Sequence, residues 1–120
     1  MLDERRWAIE REIMRRRFPW IQPFEMENGC VGFFGVLRGP KTGQRYEILI
    51  KIPANLYPET EPPIYLEPRI GGNWRADNVN RNPNGKLCYD RPGSEVWHPA
   101  RGTFANCVLV AADYLRSQGA

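Results

Sequence analysis

Between Tyr46 and Ile52 the chain alternates without a break. Tyr46, Ile48, Ile50 and Ile52 fall on one side of an extended strand, with Glu47, Leu49 and Lys51 on the other. Alternation with a period of two is the mark of a strand with one buried face, and four large apolar side chains in a row require a layer to cover them. The same stretch is preceded by two further strand candidates, Ile21 to Glu25 and Cys30 to Leu37. They are separated by Glu27-Asn28-Gly29 and by the turn-rich Gly39-Pro40-Lys41-Thr42-Gly43. Short strands joined by such punctuation predict an antiparallel meander. A fourth strand, Ile64 to Leu66, is bracketed by Pro62-Pro63 and Pro68, so it belongs at an edge, where missing N–H donors do no harm.

The cover for the apolar face comes from the two ends of the chain. Leu2 to Arg17 contains neither Gly nor Pro, and Leu2, Ile9 and Ile13 share one helical face while Trp7 and Met14 form an adjacent stripe. Asp3 and Glu4 in the first turn and Arg15, Arg16 and Arg17 in the last follow the polarity of the helix dipole, before Phe18-Pro19 ends the helix. After Gly102, the residues Phe104, Cys107, Val108, Ala111, Ala112 and Leu115 give the stripe of a strongly buried helix. Thr103 serves as its N-cap and Gly119 lies beyond its end. The expected order is helix, four strands, long loop, helix: an α/β (α+β) domain spanning residues 1–120. A chain of 120 residues is too short for two cores. The loop, Arg69 to Arg101, is rich in Gly, Asn, Pro and Arg, holds a short apolar island at Leu87-Cys88-Tyr89, and is of a length usually kept for function.

Charge and cysteine usage exclude several classes. The net charge is +3, from 17 basic and 14 acidic residues, with no aromatic residues interleaved in a basic stripe, so a dedicated nucleic-acid binder is not expected. No apolar run approaches the ~20 residues of a membrane span, and the N-terminal stretch is charged where a secretory signal is apolar. The expectation is a cytoplasmic protein without a membrane partner. Three widely spaced cysteines, Cys30, Cys88 and Cys107, fit neither a disulfide framework nor paired zinc ligands, and His98 is the only histidine. Reduced thiols and no metal site are expected.

The residues Tyr57-Pro58, Pro62-Pro63, Asn80, Gly85, Cys88, Asp90, Trp97, Pro99 and Ala100 give most of the chain a resemblance to the catalytic core of ubiquitin-conjugating enzymes. That family reads helix, four-stranded meander, a Tyr-Pro-x-x-x-Pro-Pro type loop, a His-Pro-Asn motif, a nucleophilic Cys, a Trp-x-Pro-Ala segment and a central helix. Asn84-Gly85-Lys86-Leu87-Cys88-Tyr89-Asp90 is similar to the family's Asn-Gly-x-Ile-Cys-Leu-Asp, and Trp97-His98-Pro99-Ala100 to its Trp-Ser-Pro-Ala. Asn80 stands eight residues before Cys88, the family spacing. There are departures. Asn78-Val79 replaces His-Pro, and Glu59-Thr60-Glu61 stands where eukaryotic members carry an apolar ligase-docking side chain. The chain stops after the central helix, so the C-terminal helices and the Asp that helps deprotonate the attacking lysine are expected to be absent. It resembles a minimal member of the kind found in bacterial conjugation operons, several of which are implicated in antiphage defence.

The resemblance implies an acyl carrier. An activating enzyme, using ATP, would pass the C-terminal glycine of a ubiquitin-like protein to Cys88, and an amine of a target protein would then take it. No cofactor is implied for this chain. Cys88 needs nucleophilicity and exposure; Lys86, Arg81 and Arg91 favour its thiolate and Asp90 opposes it, so no strongly lowered pKa is expected. Cys30, within a strand, and Cys107, on the apolar stripe, read as core. Asn80 is the family-matched oxyanion donor, worth about 3 kcal/mol if preorganised, or else a residue that hydrogen-bonds its own loop. His98, in the family's Ser position, is either the proton acceptor that replaces the missing Asp or a surface residue. The arginines of the first helix, Arg5, Arg6 and Arg11 among them, either meet an acidic groove, as the family's helix does on its activating enzyme, or form a solvated face. The alternative function is a non-catalytic variant that binds a ubiquitin-like protein or scaffolds a conjugation complex.

Overall fold

A computed structural model of the chain describes residues 2–72, 74–75, 85–87, 97 and 101–120. The first helix, α1 (Glu4–Arg17), begins where Asp3 accepts the Arg6 backbone N–H on Oδ1 at 3.0 Å. That bond satisfies one of the first-turn amides that a helix leaves open. The Phe18 N–H closes the other end on the Met14 carbonyl. The buried stripe of α1 is Trp7, Glu10 and Met14, which corrects the expected face: Ile13 is only partly buried and Ile9 is 58% exposed. Trp7 and Met14 are the larger side chains, seven residues apart and therefore nearly in line on a helix, and their burial turns Ile9 towards solvent.

Four strands follow as an antiparallel sheet in the order β1-β2-β3-β4: Gln22–Glu25, Cys30–Arg38, Arg45–Pro53 and Ile64–Glu67. The bounds match the sequence reading within a residue or two, and β4 takes the edge that its prolines demanded. Register pairs Val31 with Ile52, Phe33 with Ile50 and Gly35 with Ile48, then Ile48 with Leu66 and Ile50 with Ile64. All the isoleucines of the alternating run thus point to one face, and Tyr46, Ile48, Ile50 and Ile52 are buried. The opposite face carries Phe34, 48% exposed, beside the partly covered Leu49. Gly29 makes the first hairpin at φ +87°, a conformation that a side chain would strain.

Beyond β4 the connection contains a two-stranded ribbon that the sequence did not announce. Trp74–Arg75 (β5) pairs with Lys86–Leu87 (β6), with Trp74 opposite Leu87. Leu87 is buried in the core. The last element described, α2 (Phe104–Ser117), is capped by Thr103, whose Oγ1 accepts the Asn106 N–H at 3.1 Å, and gives way to Gly119 at φ +79°. Both termini follow the sequence reading. Phe104, Cys107, Val108, Ala111 and Leu115 are buried as expected, Ala112 is only partly so, and Tyr114 joins the buried set, its hydroxyl donating to the Ile70 carbonyl at 2.5 Å. The chain is therefore α+β, with an N-terminal helix, a four-stranded antiparallel sheet and a C-terminal helix. Among the described residues no helix is long and apolar enough to cross a membrane, and no group of His, Cys, Asp and Glu could hold a metal ion.

Candidate functional site

The three residues expected to carry chemistry, Cys88, Asn80 and His98, lie outside the described residues. Two of their covalent neighbours are described, Leu87 before Cys88 and Trp97 before His98. Leu87 is packed in the core. On the other side stands Trp97, next to His98. Its indole N–H donates to the Pro58 carbonyl at 2.7 Å, and its ring lies against Gly102. A Cβ on Gly102 would fall 2.6 Å from the Trp97 ring, so this approach requires glycine. Leu87 and Trp97, the described residues that bracket 88–96 in the sequence, are thus each packed against other elements of the fold.

The joint behind Trp97 is built from aromatic rings. Tyr57 lies 6.4 Å from Trp97 and 5.5 Å from Phe104, ring centre to ring centre, and Phe104 lies 5.7 Å from Trp7 and 5.1 Å from Phe33. Tilted and edge-on packing at these distances is favourable beyond the area buried. Inside the cluster sits one carboxylate. Glu10 is 1% exposed and accepts the Tyr57 hydroxyl at 3.1 Å and the Phe104 backbone N–H at 3.2 and 3.3 Å on its two oxygens. Burial holds the Glu10 carboxyl above the ordinary glutamate value, against the pull of the Phe104 N–H, the Tyr57 hydroxyl and Arg6. Burial, reinforced by Glu10, also pushes the Tyr57 hydroxyl far up, and it stays protonated as a donor.

Arg6 belongs to the same joint. Its guanidinium donates to the Gly102 carbonyl at 2.6 Å and stands 5.8 Å from the centre of the Tyr57 ring. Of the arginines read as either an acidic-groove face or a solvated one, Arg6 therefore turns inward, while Arg5 and Arg11 are exposed. Cys30 and Cys107 are both buried, and burial drives the Cys107 thiol upward, so neither is placed to act as an open nucleophile. Glu59, Thr60 and Glu61 lie exposed beyond the Tyr57-Pro58 turn.

The sequence reading missed Glu10 and Tyr57 as a pair. One signal was present: Glu10 lies between Trp7 and Met14 at helical spacing, and a charge on a buried stripe has to be matched by donors. Its partners, at positions 57 and 104, carry no local trace of the pairing. No protein-family model and no curated protein matches the chain.

Proposed function

We propose that this chain is a ubiquitin-conjugating-like carrier, which takes the C-terminus of a ubiquitin-like protein as a thioester on Cys88 and hands it to an amine of a target protein. The observation that carries the reading is the order of motifs. Tyr57-Pro58 stands between β3 and β4, and Asn80, Asn84 to Asp90 and Trp97 to Ala100 follow in the family's order between the four-stranded sheet and a buried helix. Two members of those motifs support it from the fold: Leu87 is seated in the core and Trp97 is bound to Pro58. The burial of Cys30 and Cys107 leaves Cys88 as the thiol on which the chemistry is assigned.

In the loading step the Cys88 thiolate attacks the thioester carbonyl on the activating enzyme, and that enzyme's thiolate leaves. ATP is used there and not by this chain. In the transfer step a neutral amine attacks the new thioester, the carbonyl oxygen gains negative charge, and the Cys88 thiolate departs as the amide forms. Asn80 is assigned the donor for that oxygen. His98 is assigned the acceptor of the proton the amine loses. The setting proposed is a bacterial conjugation pathway of the antiphage kind.

Co-expression with the neighbouring genes of its native locus tests this, with gels run with and without reductant on wild type and Cys88→Ser. The expected result is a reductant-sensitive adduct on wild type that becomes a reductant-resistant oxyester on the serine variant, its mass identifying the modifier. The replacement of His-Pro by Asn78-Val79 favours the second reading, a binding variant of the same fold. That reading takes over if no adduct forms while the modifier still co-purifies with Cys88→Ala.

A further inference from the structure

Among the described residues Glu10 is the charged side chain that the core takes in. A carboxylate in such a place is tolerated only where donors meet it, and its donors come from two elements far away in the chain. Tyr57 belongs to the turn after β3, and Phe104 opens α2, so the carboxylate also faces the positive end of that helix. One turn earlier on α1, Arg6 binds Gly102, the residue before the α2 cap. The third group at this joint is Trp97, which donates to Pro58 and lies on Gly102. Among the described residues Trp97 therefore meets Tyr57, Phe104 and Gly102, which α1 holds through Glu10 or Arg6, and Pro58, which adjoins Tyr57.

We propose that Glu10 is a positioning residue of the transfer reaction: its carboxylate holds the Tyr57-Pro58 turn and the start of α2 at the separation into which Trp97 closes, and so fixes one end of the segment that carries Cys88. This rests on the carrier reading for its catalytic meaning. A clasp made by a titratable group depends on pH, and its surroundings are defined. Arg6 faces Glu10 from α1, the Tyr57 hydroxyl from the turn and the Cys107 thiol from α2, with Glu61 acting on Cys107 and Asp3 on Tyr57. Burial holds Tyr57 and Cys107 neutral, and Glu10 is the carboxylate bonded to both the turn and the start of α2.

The test uses the full chain, labelled with nitrogen-15 and titrated from about pH 4 to about pH 9. The probes are the Trp97 indole N–H, assigned through Trp97→Phe, and the Phe104 amide. The expected result is a single step shared by both probes, with its midpoint above the ordinary glutamate value, and its disappearance in Glu10→Gln while the spectrum stays dispersed. A step at Phe104 that leaves Trp97 unmoved reduces Glu10 to a helix cap and overturns the proposal, as does a shared step that survives in Glu10→Gln. Should Glu10→Gln fail to fold, Tyr57→Phe decides: losing one donor to the carboxylate raises the midpoint, and an unchanged midpoint refutes the clasp. In single-turnover discharge of the Cys88 thioester to free lysine, Glu10→Ala slows transfer about tenfold or more, the scale of a small misplacement, and Glu10→Gln recovers most of it. Equal loss in both variants, or none in either, counts against positioning. A wild type that never acquires the thioester overturns the carrier reading and the catalytic role with it, whereas the spectra still decide whether Glu10 sets Trp97.

Discussion

Glu10 and Glu12 stand two positions apart on α1 and meet opposite physics. Glu12 lies on the outer face, where it pairs with Arg15 and Arg16 at 2.8 Å, and those two guanidinium groups pull its carboxyl down to about 2. Glu10 lies on the inner face among rings, with neutral donors for company, and burial pulls its carboxyl up. The difference shows what decides the state of a side chain. Two arginines in water lower a carboxyl that no core desolvates, while two good hydrogen bonds in the interior do not fully offset desolvation. The same division runs through the whole helix: Trp7, Glu10 and Met14 hold α1 to the molecule, and Ile9, despite its apolar chain, stays in solvent.

The sharpest way to break the comparison is on the inner face. Trp7→Ala removes a side chain in ring contact with Phe33, Tyr57 and Phe104, and is expected to destabilise the fold by about 3–5 kcal/mol in urea unfolding. A change under about 1 kcal/mol would mean that α1 is not part of the core. Next, Glu10→Ala strands the Tyr57 hydroxyl and the Phe104 N–H without their acceptor, a loss of about 1–3 kcal/mol by the same measurement.

The pH dependence sharpens it further, because the two glutamates carry opposite signs. The folded-state value of Glu10 is raised, so its contribution is fully present below the unfolded-state value and is lost as pH rises through the folded one. Wild type should therefore lose stability relative to Glu10→Gln over that window, and a gain there would refute the assignment. Glu12 runs the other way: what it contributes is present above its unfolded-state value and fades as pH falls towards about 2, an effect that added salt should remove in wild type and that Glu12→Gln should lack. Thr103→Ala, which deletes the cap of α2, is expected to lower stability by about 1 kcal/mol. The smallest effect belongs to Ile9→Ser, expected to stay within about 0.5 kcal/mol.

Local signals in the sequence were sufficient for most of the elements. The isoleucine alternation of β3, the prolines that flank β4, Thr103 before α2 and Gly119 after it each act within a few residues, and each predicted what the fold contains. The face of α1 was misjudged because helical spacing allows two neighbouring stripes, and the choice between them is made by Phe33, Tyr57 and Phe104, none of which is near in sequence. The β5–β6 ribbon escaped notice for a related reason: two residues a side leave no periodicity to detect. At the candidate site, the residues proposed as nucleophile, oxyanion donor and base, Cys88, Asn80 and His98, rest on motif spacing and fall outside the described residues. The joint of Glu10 with Tyr57 and Phe104 has no local signal in the sequence, since a buried carboxylate and its donors are matched only in three dimensions.

The bond between Glu10 and the Phe104 amide joins residues 94 positions apart, and the one between Arg6 and Gly102 spans 96. Closing so long a loop is slow, because the entropy of bringing the segments together is lost before any contact rewards it. On a ribosome α1 and the sheet appear well before α2, and until α2 docks the rings of Trp7, Phe33 and Tyr57 lack their Phe104 partner. A nascent chain is accordingly expected to keep these rings uncovered until α2 has emerged, with the start of α1 waiting for the start of α2 to arrive.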